Sequence, residues 1–147
     1  MDLTKSYPRS VREKFAGVVQ IGRTSDKARA HAAGTVGEYH YNCGMDQAVF
    51  KFLGIGDHEA FAKKAASLDD AQLERWLRDT YVSKKTPAEI EEWNRTWLAR
   101  GPEPGSDSHK YFVELRSQIA PARTDVTSWP DLLDLDEGRD VPEKAAA

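Results

Sequence analysis

Along most of the chain, apolar residues return every third or fourth position, the period of helices with one buried face. Val11, Phe15, Val18 and Gly22 keep this spacing behind Ser10-Val11-Arg12-Glu13, which reads as a capping box. Thr24-Ser25-Asp26 reads as a break and restart, with a short second helix through Ala33 ended by Gly34. After a loop at 34–37, Asp46 is an expected N-cap for a helix carrying Val49, Phe50, Phe52 and Leu53, closed by Gly54 and Gly56. Asp57 caps the next, which buries Phe61 and Ala65, and Asp69 with Gln72 opens another through Leu73, Trp76, Leu77 and Tyr81.

Thr86-Pro87-Ala88-Glu89 combines a capping box with proline at the first helical position, where its missing N–H costs nothing. Ile90, Trp93, Trp97 and Leu98 form the stripe of that helix, and Gly101-Pro102 stops it. The loop GPEPGS leads to Ser106 or Ser108 as the cap of a helix with Tyr111, Phe112, Leu115 and Ile119, ended by Pro121. Ser128-Trp129-Pro130-Asp131 opens a short acidic one with Leu132, Leu133 and Leu135. Only EYHYN alternates as a strand would, and it is too short to imply a sheet. The pattern predicts an all-α fold, one compact domain of six to eight helices over 1–139, with 140–147 a frayed tail.

Composition narrows the classes of function. No apolar run approaches the roughly 20 residues needed to span a bilayer, and the opening MDLTKSYPRS lacks the apolar core of a secretory signal. Cys43 is the only cysteine, which excludes an internal disulfide and suits a reducing cytoplasm. The net charge of −3 is unevenly spread: residues 1–31 carry seven Lys/Arg against three Asp/Glu, and residues 124–147 seven acids against two bases. An acidic chain without a basic run gives little drive toward nucleic acid, so the acidic tail is expected to lie near the basic N-terminal part or screen it.

Several motifs fail on inspection. His58-Glu59-Ala60-Phe61-Ala62 begins like a zincin helix, but Ala62 stands where the second ligand belongs. Gly54-Ile55-Gly56 has no third glycine and no strand before it.

The stretch GEYHYNCGMDQ, residues 37–47, survives. If it is extended from Glu38 to Asn42, then Glu38, His40 and Asn42 share one face and Tyr39, Tyr41 and Cys43 the other. A carboxylate two residues from an imidazole can fix its tautomer, as general-base work requires. Cys43 as a nucleophile needs the backbone to turn at Asn42, or a second base such as His31. A metal would need a third ligand, Asp46 or His31, and four scattered histidines give no such set. Each residue also has a plainer role: a small buried cysteine, a helix cap at Asp46, packed tyrosines, a satisfied histidine.

A second constellation is GRTSDKARAH, residues 22–31. On a helix from Asp26, Lys27 stacks on His31 and Asp26 on Arg29. Such a surface is either an exposed ion-paired helix or an anion site in which Lys27 or Arg29 holds a carboxylate or phosphate.

The runs GRTSDKARAHAAGTVGEYHYNCGMDQAVFKFLG, TPAEIEEWNRTWLARGPEPGS and RTDVTSWPDLLDLDEGR together resemble a bacterial family catalogued only as a domain of unknown function, over nearly the whole chain. The resemblance implies a compact, mainly helical bacterial protein and carries no activity with it. Relatives usually have proline after the Asn-Cys pair, where this chain has Gly44, which loosens the turn into the next helix.

Two functions follow as expectations. The first is a small anionic-metabolite site, with cofactor-free acid/base catalysis at a His40-centred pocket: His40 as acid/base, Glu38 orienting it, Lys27 or Arg29 holding the anion, and Tyr41, Asn42 and Cys43 lining the site. It needs neither metal nor cofactor. The second is a helical protein-interaction module in which residues 37–47 are a buried brace, suggested by four Trp and five Tyr without a complete catalytic motif. Nucleic-acid binding through Lys5, Arg9, Arg12 and Lys14 ranks last. The pattern leaves oligomeric state open.

Overall fold

In a computed structural model, whose residues 1–144 are described here, the chain is all-α, with seven α-helices and no sheet among those residues. They are α1 (Ile21–Ala33), α2 (Gly44–Leu53), α3 (His58–Ser67), α4 (Asp70–Thr80), α5 (Pro87–Leu98), α6 (Asp107–Ile119) and α7 (Trp129–Asp136), with one 3-10 turn (Val82–Lys84) before α5. The chain divides into two compact units, residues 1–94 and residues from 95 onward. No described helix is long and apolar enough to cross a membrane.

Most helix boundaries obey local capping chemistry. Asp57 accepts the Ala60 amide at 3.0 Å, Asp69 and Gln72 exchange bonds at 2.8 and 3.0 Å, and Thr86 and Glu89 do the same at 3.1 and 3.0 Å. Ser106 caps α6 through the His109 amide, and Ser128 caps α7 through that of Asp131. Gly34 and Gly54 close α1 and α2 at φ of 71° and 85°, a left-handed conformation that glycine takes without steric cost.

The N-terminal segment departs from expectation twice. Residues 10–20 form no helix: Ser10 Oγ accepts the Arg12 amide at 3.1 Å, and the chain then turns back on itself. Phe15 and Val18 exchange both backbone bonds at 3.0 and 3.1 Å around Ala16 and Gly17, whose φ values of 54° and 79° make a hairpin-type turn. Side chains from distant helices satisfy the amides a helix would have used. Glu74 accepts from Ala16 N at 3.1 Å, and Asn94 accepts from Val19 N at 3.1 Å while donating to Gly17 O at 3.0 Å. Helical spacing here recorded burial, not helix: Val11, Phe15, Val18 and Val19 are all buried.

The second departure is that α1 runs unbroken through Thr24-Ser25-Asp26. Ser25 Oγ bonds back to Ile21 O at 2.7 Å, within the helix, and Thr24 and Asp26 find tertiary partners. The helix is buried on nearly every side from Ile21 to Ala28, because α2 and α3 pack against it. Gly22 permits the closest approach: a Cβ there would stand 3.1 Å from the Phe15 Cβ. Around α1 the first unit gathers Ile21, Ala28, Val49, Phe50, Phe61, Leu73 and Leu77 into its core.

The second unit has its own small core of Phe112, Val126 and Leu132, with Trp129 edge-on to Phe112 at 4.9 Å. Gly101 passes so close to Thr127 that a Cβ would overlap the Thr127 carbonyl oxygen. The expected frayed tail at 140–147 lies partly outside the described residues. Within them, Val141 packs on this core, Arg123 donates to Pro142 O at 3.3 Å, and the Lys144 amide donates to Asp125 at 3.1 Å.

Candidate functional site

The segment 37–43 is not extended. It turns at 37–38 and again at 41–42, where Asn42 takes φ of 65° and its carbonyl accepts from Gln47 at 2.8 Å. Glu38 and His40 are exposed and make no hydrogen bond or ion pair among the described residues. Tyr41 leaves that face: its hydroxyl donates to His58 O at 2.6 Å, and its ring stands between His31 and His58 at 5.0 and 5.9 Å. Burial, then the charges of Asp46, Glu59 and Asp57, raise its pKa well above that of an ordinary phenol.

The turn at Asn42 delivers Cys43 to a cation. Lys27 Nζ lies 3.3 Å from Cys43 Sγ and 2.8 Å from Asp46 Oδ2. Asp46 is the third helical residue of α2 instead of its N-cap; Cys43 holds that place and donates its amide to Asp46 at 3.2 Å. The other Asp46 oxygen accepts from Thr24 Oγ1 at 2.6 Å and from Gln20 at 3.5 Å. With Asp46 fully buried and Lys27 nearly so, every polar group here has its partner inside the protein. Such a network holds α1 to α2 and commits the Lys27 ammonium to Asp46 and Cys43.

Arg29 is committed elsewhere. Its guanidinium donates to Ala65 O and Leu68 O, both at 2.9 Å, and pairs with Asp70 at 2.5 Å. It thereby satisfies carbonyls at the end of α3 and ties α1 to the start of α4. Asp70 also receives Arg9 at 2.9 Å, and Arg9 grips Asp26 through two guanidinium nitrogens and its own amide. Partial burial opposes charge on Asp70, yet the Arg29 and Arg9 bonds hold its carboxyl below the usual carboxylate range. Thus Lys27 and Cys43 come together, while the remaining expected site residues point to different partners or to solvent.

A third polar cluster sits at the surface. His31 Nε2 is 3.0 Å from Glu59 Oε1, and His58 Nε2 is 3.5 Å from the same oxygen. Among the described residues, no three His, Cys, Asp or Glu side chains are placed to hold a metal ion.

Concavity lies on the other side of α3. A hollow of about 470 Å³ is lined by Ile55, Gly56, Asp57, Ala60, Phe61, Lys64, Trp76 and Tyr81. Asp57, Ala60, Phe61 and Lys64 recur at i, i+3, i+4 and i+7, so one stripe of α3 forms a wall. Trp76 and Tyr81, from α4 and its C-terminal cap, stand almost perpendicular at 5.3 Å, and Trp76 lies 6.1 Å from Phe61. The Lys64 ammonium lies 5.4 Å from the Trp76 ring centre and has no hydrogen-bond or ion-pair partner among the described residues. By their spacing Phe61 and Tyr81 read only as core, and Trp76 as core or as one wall of a pocket beside His40. The legible signal was the stripe itself, charged at both ends with Ala60 and Phe61 between.

Over the described residues, these features define a small all-α protein whose buried polar side chains have partners and which carries a hollow walled by aromatic rings. Residues 5–139 match the family described as Domain of unknown function (DUF5069), and the chain belongs to that family. Comparison with curated proteins gives no match.

Proposed function

We propose that this protein binds a small organic anion, and that it does so in the hollow between α3 and α4 instead of around His40. The observation that carries this is a roughly 470 Å³ cavity, within the size range of small-molecule sites, with an unpaired lysine ammonium at its aromatic wall. An anion there gains a charge-assisted bond from Lys64 at the expense of no ion pair or hydrogen bond, only of its contact with the Trp76 face. Around His40 the same anion would have to take Lys27 from Asp46, or Arg29 from Asp70 and two carbonyls. For the buried Lys27–Asp46 pair, uncovering one member is strongly unfavourable.

The reading is a binding function, with no bond-making step assigned to it. A metabolite screen by ligand-observed NMR on the full chain tests it, with the Lys64→Met variant as control. Hits among organic anions that vanish in Lys64→Met support it. Hits that survive in Lys64→Met but vanish in His40→Ala return the site to the 37–47 segment.

A further inference from the structure

The hollow also constrains what the anion looks like, and this inference rests on the binding reading above. We infer that its ligand is an aromatic monocarboxylic acid carrying a hydrogen-bond donor at the end opposite the carboxylate.

Charge comes first. The cavity is lined by one cation, Lys64, and one carboxylate, Asp57. A phosphate or dicarboxylate would place a second negative charge in a site with a single positive partner and a like charge across it. A monoanion meets no such conflict. Its carboxylate accepts from Lys64, whose flexible stem lets the ammonium leave the Trp76 face.

The walls decide the body. Trp76 and Tyr81 make two sides at an interplanar angle of 84°, and the buried Phe61 ring continues the surface. A flat ring laid against one of these planes presents its edge to the other, which satisfies both favoured aromatic geometries at once. A saturated ring of the same size fills the volume without that gain. Ala60 lies between Asp57 and Lys64 on the stripe, and its single methyl leaves the room the ring needs.

The far end belongs to Asp57. One of its oxygens accepts the Ala60 amide at 3.0 Å, as the cap of α3, and the other has no partner among the described residues. Asp57 and Lys64 are seven residues apart, a rise of about 10 Å along one helix face. A ligand lying along that face therefore meets an acceptor at one end and a donor at the other. A phenol or aryl amine opposite the carboxylate fits both, since each end of the ligand then meets its hydrogen-bonding complement.

Titration of the full-length protein by heteronuclear NMR, following the Lys64 and Trp76 signals, tests the inference with four probes. They are 4-hydroxyphenylacetate, phenylacetate, cyclohexylacetate and inorganic phosphate. Affinity should fall in that order, with at least a tenfold gap between the first and third. Lys64→Met should cost tenfold or more, and Ala60→Leu should abolish binding with the fold intact by circular dichroism. Asp57→Asn, which retains a competent helix cap, should shrink the advantage of the hydroxylated probe over phenylacetate. If cyclohexylacetate or phosphate binds as well as 4-hydroxyphenylacetate and still depends on Lys64, the ligand class is wrong while the binding site stands. If no probe perturbs the hollow at millimolar concentration, the class and the site reading fail together.

Discussion

Lys27 and Lys64 both sit in the first unit, each beside a chemically notable group, yet their surroundings are opposite. Lys27 is sealed under α2 with Asp46, Cys43, Thr24 and Gln20 closing around it. Lys64 stands at a hollow with an aromatic face beneath it and no partner of its own. The difference teaches that dense polar side chains in a sequence do not locate a binding site. A site needs polar groups whose hydrogen-bonding capacity the fold has not used, and in the 22–46 region both cations suited to an anion, Lys27 and Arg29, are already engaged.

This contrast can be broken by mutation, beginning at the buried end. Asp46→Ala strands Lys27 without its carboxylate, and should cost about 3–5 kcal/mol, the range for breaking a buried pair. Chemical denaturation measures it, and a loss below about 1 kcal/mol would mean that the network is not the brace described. Tyr41→Phe removes the bond to His58 O and should cost about 1 kcal/mol near neutral pH.

The same tyrosine gives a pH signature. Its folded pKa is raised, so its contribution is fully present below the unfolded value of 10.0 and declines as pH climbs above it. The native state then holds a proton that the unfolded chain has released. Wild-type stability should fall more steeply above pH 10 than that of Tyr41→Phe, a comparison that denaturation at pH 8 to 11 would make.

Asp70→Asn loosens the Arg9–Asp70–Arg29 bridge, but the carboxylate is half open to solvent, so screening limits the effect to about 1 kcal/mol or less. Because the folded pKa of Asp70 is depressed, its contribution exists above the unfolded value of 3.8 and is lost as pH falls below it. The Asp70→Asn variant should therefore converge with wild type at acid pH. Smallest of all, Lys64→Met should leave the unfolding midpoint within experimental scatter while removing ligand response. A substantial stability loss there would make Lys64 another structural cation and erase the contrast.

Where backbone chemistry is local, the sequence was legible. Asp57, Asp69, Thr86, Ser106 and Ser128 cap helices as their positions and neighbours imply, since each bond closes within four residues. Residues 10–20 were misread for the complementary reason. The amides of Ala16 and Val19 are satisfied by Glu74 and Asn94, partners some 60 to 75 residues away that no window can contain. Asp46 shows both at once: its place near the start of α2 was foreseeable, but its burial against Lys27 was not.

For the candidate site the division is sharper. The cluster at 37–47 was visible as composition, and Tyr41, Cys43 and Asp46 did prove to be densely bonded. Composition could not tell whether those bonds would be spent inside the protein. The hollow was hidden by the opposite trait, since Phe61, Trp76 and Tyr81 sit at ordinary core spacing and line a hollow only once α3 and α4 are packed.

The sequence by itself determined the helical class, most helix ends and the family, because capping and apolar periodicity act over a few residues. Tertiary structure alone decided that α1 would be a buried polar helix, that Lys27 and Arg29 would be consumed, and that an unpaired lysine would stand over Trp76 beside a hollow. Those outcomes depend on which surfaces exclude water from one another, a property of the packed chain and of no single segment.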